Sequence, residues 1–325
     1  MELLLKKLCT QPHKTITKQS SKGFTLIELL VVVLIAGGII SGLMFMVVEL
    51  LTADQKEASK NQTQQEMQMA MDYISAELRE AVYVYDANCL GSTANGSAGD
   101  ADYCPGLYNH LPTGLTDGDT TPILAFWKQE QLPTTVREAC GGTGTLVDDT
   151  PCIAGHAYSL VVYSTDTANN TTWDGKSRIT RYALDKYKVS GATYSETPGY
   201  VDPGAYGNEF RSWPYYQGIG DITQVNKQTG TLDEGTDDVL VDFVDSEALN
   251  PAPTCQTGYN LSTNGTITGF YGCVSDGDAT DNNRDIILSL RGNAYGRPAI
   301  SGEKSYLPII ETHVLSRPVL NKSPN

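Results

Sequence analysis

The chain has 325 residues, enough for one large domain or two small ones. It holds 23 Lys+Arg against 38 Asp+Glu, a formal net charge of -15. That balance argues against a broad nucleic-acid-binding face. The charges are unevenly spread: residues 1–23 carry Lys6, Lys7, Lys14, Lys18 and Lys22 with Glu2 as their one acid. A basic head before an apolar run marks a cytoplasmic flank.

The apolar run follows at once. Phe24 to Val48 is apolar apart from Thr25, Glu28 and Ser41. As a helix rising about 1.5 Å per residue, the run crosses a hydrocarbon layer of ~30 Å. A cleaved secretory signal has a shorter apolar core and a small-residue site after it. Here the distinctive stretch, "KGFTLIE" (22–28), precedes the core. Glu28 is the anomaly, because a carboxylate at membrane depth costs about 2.5–3.5 kcal/mol. Such a group calls for a cationic partner and a task.

The helix is expected to continue past the membrane. Residues 49–85 contain neither Pro nor Gly. Met67, Ala70, Met71, Ile74, Leu78, Ala81, Val82 and Tyr85 recur at three- and four-residue spacing. Residues 52–66 are largely polar, which predicts a solvent- or subunit-facing middle. Gly37, Gly38 and Gly42 weaken the membrane half.

After Tyr85 the pattern changes to short β-rich runs punctuated by Gly and Pro. Strands are expected at 122–128, 156–164, 177–187, 238–244, 265–274, 284–292 and 306–316. Their alternation predicts an antiparallel sheet with one covered face, the helix stripe being its cover. The connections at 188–220 and 245–264 predict irregular stretches.

There are seven cysteines. Setting aside Cys9 in the basic head, the rest fall into three local couples: Cys89 with Cys104, Cys140 with Cys152, and Cys255 with Cys273. Each couple brackets a segment rich in Gly, Ser, Thr, Asn or Asp, which suits flexible connections. Closing such a loop is worth roughly 3 kcal/mol in the chain-entropy model. Local disulfides are therefore expected, free buried thiols being the other reading. No CxxC, HxxxH or HExxH spacing points to a metal.

Other features carry little chemistry. His13, His110, His156 and His313 lie far apart, and no GxSxG or phosphate loop occurs. The chain does not read as an enzyme, and no cofactor is expected. Asp276, Asp278, Asp281 and Asp285 form the densest oxygen-ligand stretch, so they are the candidates for calcium. Their spacing does not match an EF-hand, and a solvated turn between strands is the favoured reading. "FRSWPYYQG" (210–218) clusters Trp213, Tyr215 and Tyr216. Aromatics there could stack on a sugar or a partner, but folding onto the sheet is favoured.

"KGFTLIE" with its apolar run resembles the class III signal of type IV pilins and type II secretion pseudopilins. The resemblance implies a prepilin peptidase cut after Gly23, N-methylation of Phe24, and an assembly role for Glu28. It implies a pilin-like α+β fold. The boundaries would be a cleaved leader at 1–23, a membrane or filament-core helix at 24–51, an amphipathic continuation at 52–86, and a β-rich domain at 87–325. "MDYISAELREAVYVY" and the strand runs near 158–185, 285–292 and 309–317 are similar to PilW-type minor pilins and the minor pseudopilin J. The "ELREAVYVY" segment is also similar to cyanobacterial pilin-like proteins tied to polysaccharide secretion in hormogonia.

What the resemblance implies is a minor subunit made in the inner membrane as a single-pass chain with a cytoplasmic N-terminus. Its partners would be prepilin peptidase, an inner-membrane assembly platform, other pilins or pseudopilins, and the lipid bilayer before assembly. The filament would be a type IV pilus or a pilus-like secretion filament. The rival readings are a type II secretion pseudopilus, an anchored monomeric glycan- or partner-binding module, and an anchored periplasmic hydrolase.

Overall fold

A computed structural model describes residues 23–98, 100, 103–143, 155–169, 171–204, 210–217, 224–232, 238–276 and 285–316. Contacts divide the chain into two units, Met1–Asp54 and Gln55–Asn325. The fold is α+β: a long N-terminal helix followed by an antiparallel β-rich region.

Helix α1 runs unbroken over Leu26–Arg79. Gly37, Gly38 and Gly42 lie within it without interrupting it. The sequence pattern extends the helix to residue 86, but the structure ends it at Arg79. Residues Ala81–Val84 form strand β1 instead. The reason is pairing. Val82, Tyr83 and Val84 are residues that favour strands, and β1 lies antiparallel along β2 (Thr120–Gln131), with Val84 opposite Phe126. Ala81, Val82 and Tyr85 satisfy a helical stripe only by the accident of their spacing.

Strands β1, β2, β3 (His156–Asp166), β4 (Arg178–Leu184) and β9 (Asp238–Val241) form a five-stranded sheet in that order. A four-stranded antiparallel sheet joins β10 (Tyr259–Leu261), β11 (Phe270–Ser275), β12 (Asp285–Arg291) and β13 (Ile309–Leu315). Two small hairpins, β5–β6 (Tyr187–Ser190 and Thr193–Glu196) and β7–β8 (Tyr215–Gln217 and Gln224–Asn226), fill the connection after β4. Short helices α2 (Ala87–Leu90) and α3 (Thr134–Thr143) follow β1 and β2.

The large sheet is covered on both faces, not one. Leu124, Phe126, Val161 and Tyr163 enter a core with Met67, Met71, Ile74 and Leu78 of α1. Their neighbours Ala125, Trp127, Leu160 and Val162 enter a second core with Leu107, Trp213 and Tyr216. Alternate side chains thus reach opposite buried faces, which is why β2 and β3 read as continuous apolar runs. The helix stripe also starts earlier than Met67: Ser59 and Thr63 are buried, and Ser59 Oγ donates to the Pro298 carbonyl at 2.8 Å.

The structure pairs Cys89 with Cys104 (Cα–Cα 5.2 Å) and Cys255 with Cys273 (5.7 Å). Cys152 and the side chain of Cys140 lie outside the described residues.

Three chain segments cross tightly at Gly269. Its N–H donates to the Asp245 carbonyl at 2.8 Å, and its carbonyl accepts from Arg291 N–H at 2.6 Å. A Cβ at this position would meet the carbonyl oxygens of Arg291 and Asp245, both at 2.6 Å. Backbone on two sides cannot give way cheaply. Gly269→Ala is expected to destabilise the β-rich unit by about 1–3 kcal/mol. The check is the urea midpoint of Trp fluorescence, which should fall without a change in slope.

Candidate functional site

The first unit contributes the segment with the unusual chemistry. Gly23 and Phe24 stand just before the first turn of α1, and Phe24 is 77% exposed. Thr25 caps the helix: its Oγ1 and carbonyl both accept from Glu28 N–H, at 3.3 and 3.1 Å. Thr25-Leu26-Ile27-Glu28 therefore has the spacing of a capping box. That pattern was open to a sequence reading and gives Glu28 a second reason to sit three residues after Thr25. An acid in the first turn also suits the positive end of the helix dipole. Among the described residues no cation pairs with its carboxylate.

From Leu26 to Leu51 every residue is exposed within the chain, including Leu29, Val33, Ile40 and Phe45. This stretch rises about 39 Å, long and apolar enough to cross a membrane. So much uncovered apolar surface is stable only in lipid or against other apolar helices.

The second unit holds the rest of α1 by a buried carboxylate that the sequence did not single out. Glu77 is 8% exposed. Its Oε1 accepts from Lys128 Nζ of β2 at 2.8 Å and Arg181 Nη2 of β4 at 2.7 Å. Its Oε2 accepts from Tyr163 OH of β3 at 2.5 Å and Arg181 Nε at 3.0 Å. One side chain thus ties the helix to three consecutive strands of the large sheet. Burial by itself would raise the Glu77 pKa, but hydrogen bonds from Arg181, Lys128 and Tyr163 outweigh it. The carboxyl is held down at about 2 from an ordinary 4.5. Burial, then the neighbouring Glu77 charge, pushes the Tyr163 phenol up. Lys128 also pairs with Glu130, so the cluster is close to neutral.

Further along α1, Glu66 pairs with Arg297, and Lys60 stands over the Tyr306 ring at 5.5 Å.

The remaining candidates are scattered. His110 stands edge-on to Trp213 and Tyr215, with Nδ1 3.1 Å from Gln228 Oε1. His156 and His313 are exposed on β3 and β13. The structure brings none of these imidazoles to a second one. Trp213 and Tyr216 are fully buried, and Trp213 Nε1 donates to the Val201 carbonyl at 2.8 Å. Trp213 and Tyr216 are therefore core, folded onto the far face of the large sheet, and Tyr215 stands half-buried against Tyr103 and His110. Among the described residues no group of three or more His, Cys, Asp or Glu side chains could hold a metal ion. Asp278 and Asp281 lie outside those residues, so the calcium candidate is represented by Asp276 and Asp285 alone.

Residues 18–44 match the family model of the prokaryotic N-terminal methylation motif. The match spans the end of the basic head, Gly23, Phe24, Glu28 and most of the apolar run. It supports a type IV pilin-like protein, processed by prepilin peptidase and held in a membrane by one helix. Proteins with this motif are structural rather than catalytic. No curated protein and no solved structure matches the chain.

Proposed function

We propose that this chain is a minor subunit of a type IV pilus or a pilus-like secretion filament. Prepilin peptidase would cut after Gly23 and methylate the new amine of Phe24. The new ammonium would then lie about one helical turn from Glu28. In the membrane the two charges of one chain would neutralise each other. In a filament the carboxylate would meet the Phe24 amine of a neighbour, because an unpaired charge in an apolar helix bundle is costly. Glu28 would in this way set the axial register of each incoming subunit.

The observation that carries this reading is the wholly exposed apolar stretch Leu26–Leu51 with one carboxylate in its first turn. The β-rich unit, 55–325, is large beside a helix of this length, which favours a priming, tip or extrusion role over a bulk shaft role. A PilW-like or pseudopilin-J-like identity rests on the looser resemblance of residues 71–85 and the later strands.

Shearing of cells with and without the assembly ATPase tests the reading. The protein should appear in the sheared surface fraction only when the ATPase is present. An unchanged distribution would favour an anchored monomer.

A further inference from the structure

We propose that a groove beside β9 receives an extended, lysine- or arginine-bearing segment of a partner protein as an added strand. The site lies wholly within the second unit and does not depend on the filament reading.

Three observations converge. First, β9 ends the five-stranded sheet and pairs only with β4 among the described residues. An edge strand leaves a row of backbone donors and acceptors that an extended peptide can take up. Second, a cavity of about 480 Å³ opens along Val239–Phe243. It is open enough for a peptide, and Val239 and Leu240 are only half-buried in it.

Third, the lining is acidic. Glu66, Asp174 and Asp242 line it together with one cation, Arg297. Arg297 is already committed: it pairs with Glu66, its guanidinium stacks 4.0 Å over the Phe243 ring, and it is 7% exposed. Asp242 accepts from Gly175 N–H at 2.9 Å with one oxygen, while the other has no hydrogen-bond partner. Asp174 and Asp238, at the start of β9, are exposed. The charge left over is negative, on a chain whose net charge of -15 already repels acidic segments.

Trp173, 38% exposed, adds an indole to the same lining. A cation over an aromatic face is worth about 0.5–1 kcal/mol at an exposed site. The fold uses the same contact twice nearby, in Arg297 over Phe243 and in Lys176 over Tyr295 at 5.2 Å. Carboxylates, an indole and an open strand edge together select a basic extended peptide. A neutral saccharide would use the indole but neither the charge nor the strand edge.

The test uses the whole chain in detergent. The probe is a peptide of about ten residues alternating Lys and Val, set against a Glu–Val peptide and maltohexaose. Hydrogen exchange should show new protection at the amides of 239–241 with the Lys–Val peptide alone. Its affinity should fall about tenfold or more in Asp174→Lys and in Trp173→Ala. Both side chains are exposed, and an unchanged melting transition would show that these variants fold. Equal binding by the Glu–Val peptide, binding without protection of β9, or protection by maltohexaose alone would overturn the proposal.

Discussion

Glu77→Ala should lower the stability of the β-rich unit by about 3–5 kcal/mol, a large share of the total for a domain. The carboxylate is one partner of a buried set whose cations remain when it goes. Lys128 and Arg181 are 8% and 18% exposed at their side chains and approach Glu77 at 2.8 and 2.7 Å. Removing the acid leaves Arg181 and the Tyr163 hydroxyl without this acceptor and Lys128 with Glu130 alone. The apolar stripe of α1 packs on the same three strands through Leu124, Phe126, Val161 and Ile179, but Glu77 adds the polar tie. Urea unfolding followed through the buried Trp127 and Trp213 reads the loss directly. A shift under about 1 kcal/mol would show that the helix stripe alone holds the contact.

The same carboxylate gives the domain an acid limit. The Glu77 pKa is depressed in the fold, to about 2 from 4.5. Its contribution is therefore complete above pH 4.5 and is lost as pH falls toward 2. Glu77→Gln removes this dependence while keeping the shape. The stability gap between wild type and Glu77→Gln should shrink by about 2 kcal/mol between pH 6 and pH 3. Other carboxylates titrate equally in both proteins and cancel in the difference.

Glu28→Val should leave membrane insertion intact and cut filament incorporation about tenfold or more, equivalent to ~1.4 kcal/mol per docking step. Valine is at home in lipid, so insertion gains if anything. The cut proposed after Gly23 lies upstream of the substitution. What is lost is the one acid in the exposed apolar stretch Leu26–Val48. An incoming helix without it has no preferred axial position against a neighbour's amine. Glu28→Asp should fall between, because it keeps the charge but its shorter arm reaches an amine poorly. The ratio of filament-associated to membrane-associated protein after shearing is the readout. An unchanged ratio in Glu28→Val would show that the acid does not set register.

What could be read from the sequence was local. The apolar run, the basic head and "KGFTLIE" are contiguous, and so is the stripe from Met67 to Leu78. Cys89–Cys104 and Cys255–Cys273 close over 15 and 18 residues. Seven strand positions were visible because short apolar or alternating runs are also local, although β9 stops at Val241, short of the apolar run. Phe243 just beyond it takes a positive φ of 62° and turns the chain. Glu77 was invisible for the opposite reason: its partners lie 51, 86 and 104 residues away. On the sequence it is one acid in "AELRE", no different from its neighbour Glu80. The end of α1 failed in the same way. Ala81 and Val84 fit a helix until β2, some forty residues on, offers them a strand to pair with. The second core was missed because the far face of β2–β4 is covered by short elements and loops whose apolar residues, such as Leu90, Leu107 and Trp213, show no period.

The most direct measurement is the mass of the N-terminal peptide of the protein isolated from its native membrane. The account predicts a chain that begins at N-methylated Phe24, and an unprocessed chain when Gly23→Ala blocks the cut. A mature protein that retains any of residues 1–22, or that starts at an unmethylated residue inside the apolar run, would contradict it.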